Sequence, residues 1–211
     1  MKNSNTIANN LRNNKGFTLI EMAIVLVIIG IIIGAVVKGQ DLVDNAKSKQ
    51  FASKIQAWQV ALNTYYDRKG RYPGDGDRDG IIASADTVTP QADIDSANFS
   101  TPPESSFTIG GTSFKVKLGN DGSRHNYLAV CKDDTCSSAY DPADSSDLAA
   151  LKYFEAFDTS IDSSANASTG TVKGFKTVTA AAGNVTALSV PGAADWMQAA
   201  NGIKALGYQI K

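Results

Sequence analysis

The densest run of chemistry-bearing residues in the chain is Asp75-Gly76-Asp77-Arg78-Asp79-Gly80-Ile81-Ile82-Ala83-Ser84-Ala85-Asp86. Carboxylates at alternate positions can converge their oxygens on one hard cation, and without it they repel one another. Asp75, Asp77 and Asp79 would supply side-chain oxygens, Gly80 the sharp turn, Ile81 its backbone carbonyl and Asp86 the closing ligand, the spacing of a calcium loop. A solvated acidic turn is the alternative, since Asp and Gly are turn formers in any case. A second patch, Asp158, Asp162 and Asn166, matches no metal-loop spacing and reads as a helix end followed by a polar turn.

Glu21 is the other residue placed for chemistry. It is the only ionisable group between Phe17 and Val37, a run of 21 residues. As a helix this run is roughly 31 Å long, enough to cross a bilayer core. A charge inside such a segment costs about 2.5–3.5 kcal/mol on insertion scales, so Glu21 needs a partner. Ahead of it, Met1 to Gly16 is polar and Asn-rich, with Lys2, Arg12 and Lys15 and no acid. Positive charge before an apolar segment keeps the amino terminus cytoplasmic and sends the remainder outward. The apolar run is too long for an ordinary secretory signal, and Lys38-Gly39-Gln40-Asp41 follows it without a small-residue cleavage pattern. The natural cut lies before the helix, at the Gly16–Phe17 bond.

Lys15-Gly16-Phe17-Thr18-Leu19-Ile20-Glu21 resembles the processing site of type IV pilins and type II secretion pseudopilins, a likeness covering about the first 55 residues. The resemblance implies a leader at residues 1–16, removed by a prepilin peptidase, and N-methylation of Phe17. It implies an inner-membrane precursor, then assembly of the chain with copies of itself on a pilus or type II secretion platform, as a periplasmic or cell-surface filament. The alternative from another class is a membrane-tethered calcium-binding module that does not assemble, which would keep its leader and give Glu21 no role. Glu21 would face the new amino terminus of a neighbouring subunit, because a buried charge left uncompensated is the costly case. Lys38 stands where many family members carry a proline, which removes the usual reason for a kink there. Gly30 and Gly34 admit three readings: close helix approach, weak points at which the helix stretches on assembly, or the ordinary frequency of glycine in membrane helices.

Composition agrees with export. The 211 residues include 20 basic and 21 acidic ones, and removing the three leader cations leaves 17 against 21. Such a balance gives no reason to expect nucleic acid. The two cysteines, Cys131 and Cys136, are close enough for a disulfide across a tight loop in an oxidising compartment. Zinc is the rival, but His125 is the only further soft ligand in the chain and cannot complete four. Enzyme chemistry finds no support, since His125 has no sequence-level partner and no phosphate loop or nucleophile–base pair is present. Trp58 and Trp196 read as core or interface anchors.

Periodicity supplies the scaffold. Phe51, Ile55, Trp58, Leu62 and Tyr65 recur at helical spacing, and Arg68-Lys69-Gly70 is a helix stop. One helix is therefore expected from residue 17 to 69, with residues 17–37 spanning the membrane and 70–211 forming the exported domain. In that domain Thr112–Leu118 and Asn126–Lys132 read as strands joined through Gly119-Asn120-Asp121-Gly122. Asp147–Ile161 reads as a helix, Val172–Val178 and Val185–Val190 as strands, Ser163–Thr171 as a loop, and Ala193–Leu206 as a terminal helix. The expected class is α+β and pilin-like: a small, mostly antiparallel sheet packed on the outer half of the long helix. The twelve-residue acidic loop resembles EF-hand and dockerin-type loops. It departs from the EF-hand pattern in having Asp86 where a bidentate Glu is usual and Ala83 with no side-chain ligand.

Overall fold

The computed structural model describes residues 16–82, 89–181, 184–189, 194–198 and 202–210. The chain forms two compact units, Met1–Val43 and Asp44–Lys211, with one continuous helix, α1 (Leu19–Lys69), contributing to both. Helix α1 contains no proline, and Lys38 stands at the position where a proline kink would otherwise be expected. In the first unit the apolar side chains of α1 are bare, from Leu19 through Val37. Beyond Asp44 the predicted stripe is buried: Phe51, Ile55, Trp58, Leu62 and Tyr65 are each at most 2% exposed. The helix stops where expected. Gly70 takes the left-handed conformation (φ +68°) and donates its N–H to Tyr66 O at 2.7 Å.

The second unit is an α+β domain. Its other elements are α2 (Pro90–Ser96), β1 (Ser106–Ile109), β2 (Thr112–Asn120), β3 (Asn126–Cys131), α3 (Ser145–Asp162), β4 (Val172–Phe175), β5 (Thr177–Ala181), β6 (Asn184–Ser189) and β7 (Ala205–Ile210). The seven strands form one sheet in the order β4-β7-β3-β2-β6-β5, with β1 also paired to β2. All pairs are antiparallel except β2–β6, which touch at Leu118–Asn184 and Gly119–Val185. Strand β1 occupies the first half of one β2 edge and β6 the second half, while β3 takes the other edge.

Phe51 centres the core, with the rings of Phe107, Phe114, Tyr153, Phe154 and Phe157 all within 6.3 Å centroid to centroid. Helix α3 contributes the last three of these, after Asp144 caps its start by accepting from the Ser146 and Asp147 N–H groups. Trp58 and Trp196 are buried anchors, as their type suggests.

Four local readings are corrected. Ala193–Leu206 is not a helix among the described residues: Trp196 and Met197 sit in a turn, and Ala205 and Leu206 open β7. Its apolar residues face inward because β3 and β4 both pair with that strand, a demand no helical pattern reveals. The single strand expected over Val172–Val178 breaks at Lys176, so that β4 joins β7 and β5 joins β6. Gly119 and Asn120 extend β2, and the turn begins at Asp121. The β1–β2 hairpin was missed although Gly110-Gly111, at φ +60° and +88°, is a two-residue connection of the favoured kind.

Candidate functional site

Two regions carry the candidate residues. In the first, Thr18 and Glu21 form a reciprocal cap at the start of α1. Glu21 Oε2 accepts from Thr18 N at 2.7 Å and from Thr18 Oγ1 at 2.8 Å, and Glu21 N donates to Thr18 Oγ1 at 3.3 Å. This is a capping box, and T-x-x-E was its sequence signal. The carboxylate is thereby held within one turn of Phe17, beside the Gly16–Phe17 bond. Phe17 and Leu19 are 81% and 92% exposed, so nothing among the described residues covers this end. A Cβ at Gly16, Gly30 or Gly34 would meet no atom within 4 Å, leaving those faces open to whatever surrounds the helix. Residues 1–15 of the expected leader lie outside the described residues.

In the second region the acidic loop follows directly on the exit of α1. Asp75 Oδ2 accepts from Gly80 N at 3.2 Å, Asp77 Oδ1 from Asp79 N at 3.1 Å, and Asp79 Oδ1 from Ile81 N at 2.7 Å. These bonds curl the loop inward. One oxygen from each of Asp75, Asp77 and Asp79 lies within 4.8 Å of the other two. Oxygens on opposite sides of one calcium ion would be about 4.6–5.2 Å apart, so the set fits a single such ion. Asp75 is buried, Asp77 and Asp79 are exposed, and Gly80 takes φ +86° as the sharp turn requires. Asp86 lies outside the described residues.

Sequence reasoning missed the residues that hold the loop in place. Asn126 Nδ2 donates to Gly80 O and Asn126 Oδ1 accepts from Ile82 N, both at 2.8 Å. Asn120 Nδ2 donates to Ile82 O at 2.8 Å, and Arg124 Nη2 to Asp79 O at 3.3 Å. Asparagine is poorly suited to strands, so Asn120 and Asn126, a directly opposed pair flanking the β2–β3 turn, were the available signal. The base of the loop is fixed by Arg71, which forms a two-pronged pair with Asp93 at 2.6 and 2.9 Å and donates to Tyr72 O and Asp75 O. Burial alone would raise the Asp93 carboxyl, but the Arg71 and Gly74 hydrogen bonds outweigh it and hold the group below its ordinary range.

Cys131 and Cys136 are joined, with Cα atoms 5.2 Å apart, at the end of β3. Within that loop Asp133 accepts from the Thr135, Ser137 and Ser138 N–H groups. Burial opposes its ionisation, yet the Thr135 and Ser138 side chains, together with the Ser138 and Ser137 N–H groups, carry the carboxyl far below the usual range. His125 has a partner after all, Asp121 Oδ2 at 2.8 Å from Nδ1, which belongs to the hairpin turn.

Among the described residues, α1 is the helix long and apolar enough to cross a membrane, and it precedes a folded α+β unit in the chain. Together with its charged first turn, this fits a membrane-anchored precursor. Residues 11–37 match the family described as the prokaryotic N-terminal methylation motif, the prepilin-type motif of type IV pilins and pseudopilins. That motif implies processing by a prepilin peptidase and marks the chain as pilin- or pseudopilin-like; the match is confined to those residues. No curated protein and no solved structure matched the chain.

Proposed function

We propose that this protein is a structural subunit of a type IV pilus-like filament. The observation that carries the reading is the methylation motif at residues 11–37, whose part from Leu19 onward is a bare apolar helix. Cleavage after Gly16 creates a cationic amine at Phe17, which is then methylated, in surroundings that become apolar on assembly. Glu21 supplies the counter-charge from a neighbouring subunit, exchanging its hydrogen bonds to Thr18 for an ion pair. Because a charge buried without a partner is strongly destabilising, pairing favours subunits in register. Mass spectrometry of the mature amino terminus tests the processing step: N-methyl-Phe17 is expected, and an intact Met1 would refute it. Gly16→Ala should leave the precursor uncleaved. Glu21→Val should be cleaved normally yet fail to build filaments, and abundant filaments of that variant alone would overturn the pairing.

The acidic loop is proposed to bind calcium through Asp75, Asp77, Asp79 and the Ile81 carbonyl, with Asp86 completing the site. A cation there would tie the exit of α1 to the β2–β3 hairpin through the Asn120 and Asn126 contacts. Extracellular sites of this kind bind at about 10⁻⁴–10⁻³ M, and a hundredfold excess over Kd stabilises by about 2.7 kcal/mol. The full chain in detergent should melt higher in millimolar calcium than in chelator, and Asp77→Ala or Asp79→Ala should remove the difference. Identical melting of the unmutated chain in both would reduce the loop to an acidic turn.

A further inference from the structure

A second pair of carboxyl groups lies away from both regions, at the end of α3. Asp158 is on the buried face of that helix with Phe154 and Phe157 and is fully enclosed. Its Oδ2 accepts from Trp196 Nε1 at 2.8 Å and from Asn166 N at 2.7 Å. Its Oδ1 is equally buried and has no hydrogen-bond partner. One helical turn on, the Asp162 carboxyl comes within hydrogen-bonding reach of Asp158, while its own Oδ2 accepts from Thr171 N at 2.7 Å and Val172 N at 2.8 Å. Gly170, at φ +102°, packs so closely on this carboxyl that a Cβ there would overlap Asp162 Oδ2.

Among the described residues neither carboxyl has an ion-pair partner. From β7 the neighbouring titratable group is Tyr208, which Asp162 influences and to which Gln59 of α1 hydrogen-bonds. From the turn at 194–198 it is Asp195, exposed beside Trp196. Tyr140, packed on Phe154, is influenced by Asp147 and Asp133 rather than by this pair. Two adjacent carboxylates with no cation between them cannot both be ionised cheaply, and a single proton removes the repulsion while giving the orphaned oxygen a bond.

We propose that Asp158 is protonated and donates through Oδ1 to Asp162, and that the pair is a proton-operated latch. It fastens the 163–171 loop and Trp196 to the end of α3. Burial pushes the Asp158 carboxyl up to about 6; the Trp196 and Asn166 hydrogen bonds oppose this, and the Asp162 charge adds to it. Because the folded value is raised above the ordinary 3.8, the latch is closed at low pH and its contribution is lost as pH rises through about 6. Unlike the filament reading, this inference rests on the fold of the second unit alone.

The test uses the full chain in detergent. Trp58→Phe leaves Trp196 as the sole tryptophan, and its emission should shift to the red with a midpoint near pH 6 as the newly charged, buried Asp158 draws water in beside the indole. Asp158→Asn, whose amide can donate to Asp162 at every pH, should show no such transition. Carboxyl carbon NMR of the unmutated chain gives a second readout if Trp58→Phe fails to fold: one aspartate should titrate near pH 6, and that signal should be missing from Asp158→Asn. A flat carboxyl titration between pH 4.5 and 7.5, or an unchanged midpoint in Asp158→Asn, overturns the latch.

Discussion

Replacing Arg71 by methionine should be the most informative single change in the soluble unit. The substitution keeps an apolar stem against the Tyr65 ring, over which the guanidinium sits at 5.5 Å, and removes only the charge and its donors. Asp93 is then left with the Gly74 N–H as its remaining backbone donor, at 2.8 Å, in a site where its side chain is 8% exposed. Breaking a buried pair by removing one partner costs about 3–5 kcal/mol, and the surviving Gly74 N–H and Tyr65 hydroxyl donors place this case near 3 kcal/mol. For a domain of this size that corresponds to a fall in Tm of roughly 6–12 °C. The assay is thermal unfolding of the full chain in detergent, followed by tryptophan fluorescence at pH 7. Arg71→Met/Asp93→Leu, which removes both charges, should recover part of the loss because no unpaired carboxylate remains. The pH dependence gives a further check. The folded Asp93 value lies below the unfolded 3.8, so the stabilisation is present above that pH and lost as pH falls through the folded value. Arg71→Met should flatten that acid limb. A fall in Tm under about 2 °C, or a double variant as unstable as the two single changes combined, would refute the reasoning.

Cys131→Ser/Cys136→Ser removes a cross-link closing a very short loop, which chain entropy values at about 2 kcal/mol. Tm should fall by roughly 4–8 °C, and reduction of the unmutated chain should reproduce the change; a larger fall from the serine variant than from reduction would point to lost packing instead. At Gly207 a Cβ would overlap the Phe175 ring across β4 and β7, so Gly207→Ala should cost about 1–3 kcal/mol or more. Adding Phe175→Leu should restore much of that, and a Gly207→Ala chain melting like the unmutated one would show that the ring moves freely.

Features written in one stretch of chain were legible from residue order alone. The membrane-length run from Phe17 to Val37 and its lone Glu21 depend on composition, and the buried stripe of α1 on a 3.6-residue period. The acidic loop announced its converging carboxylates through spacing alone, and the Cys131–Cys136 bond its closeness. Even the Thr18–Glu21 cap and the Gly110-Gly111 hairpin were legible in short signals that went unread. What tertiary structure decided were the pairings between distant segments. Whether residues 193–206 became helix or strand depended on β7 finding partners in β3 and β4, and local pattern carries no record of those partners. The split of Val172–Val178 followed from two neighbours competing for one stretch, and the parallel contact of β2 with β6 from the half-edge that β1 leaves uncovered. Arg71 with Asp93, Asn126 with the acidic loop, and Trp196 with Asp158 are separated by 22, 46 and 38 residues. A polar residue's partner at such distances is set by which surfaces the core brings together, and only the folded chain specifies that.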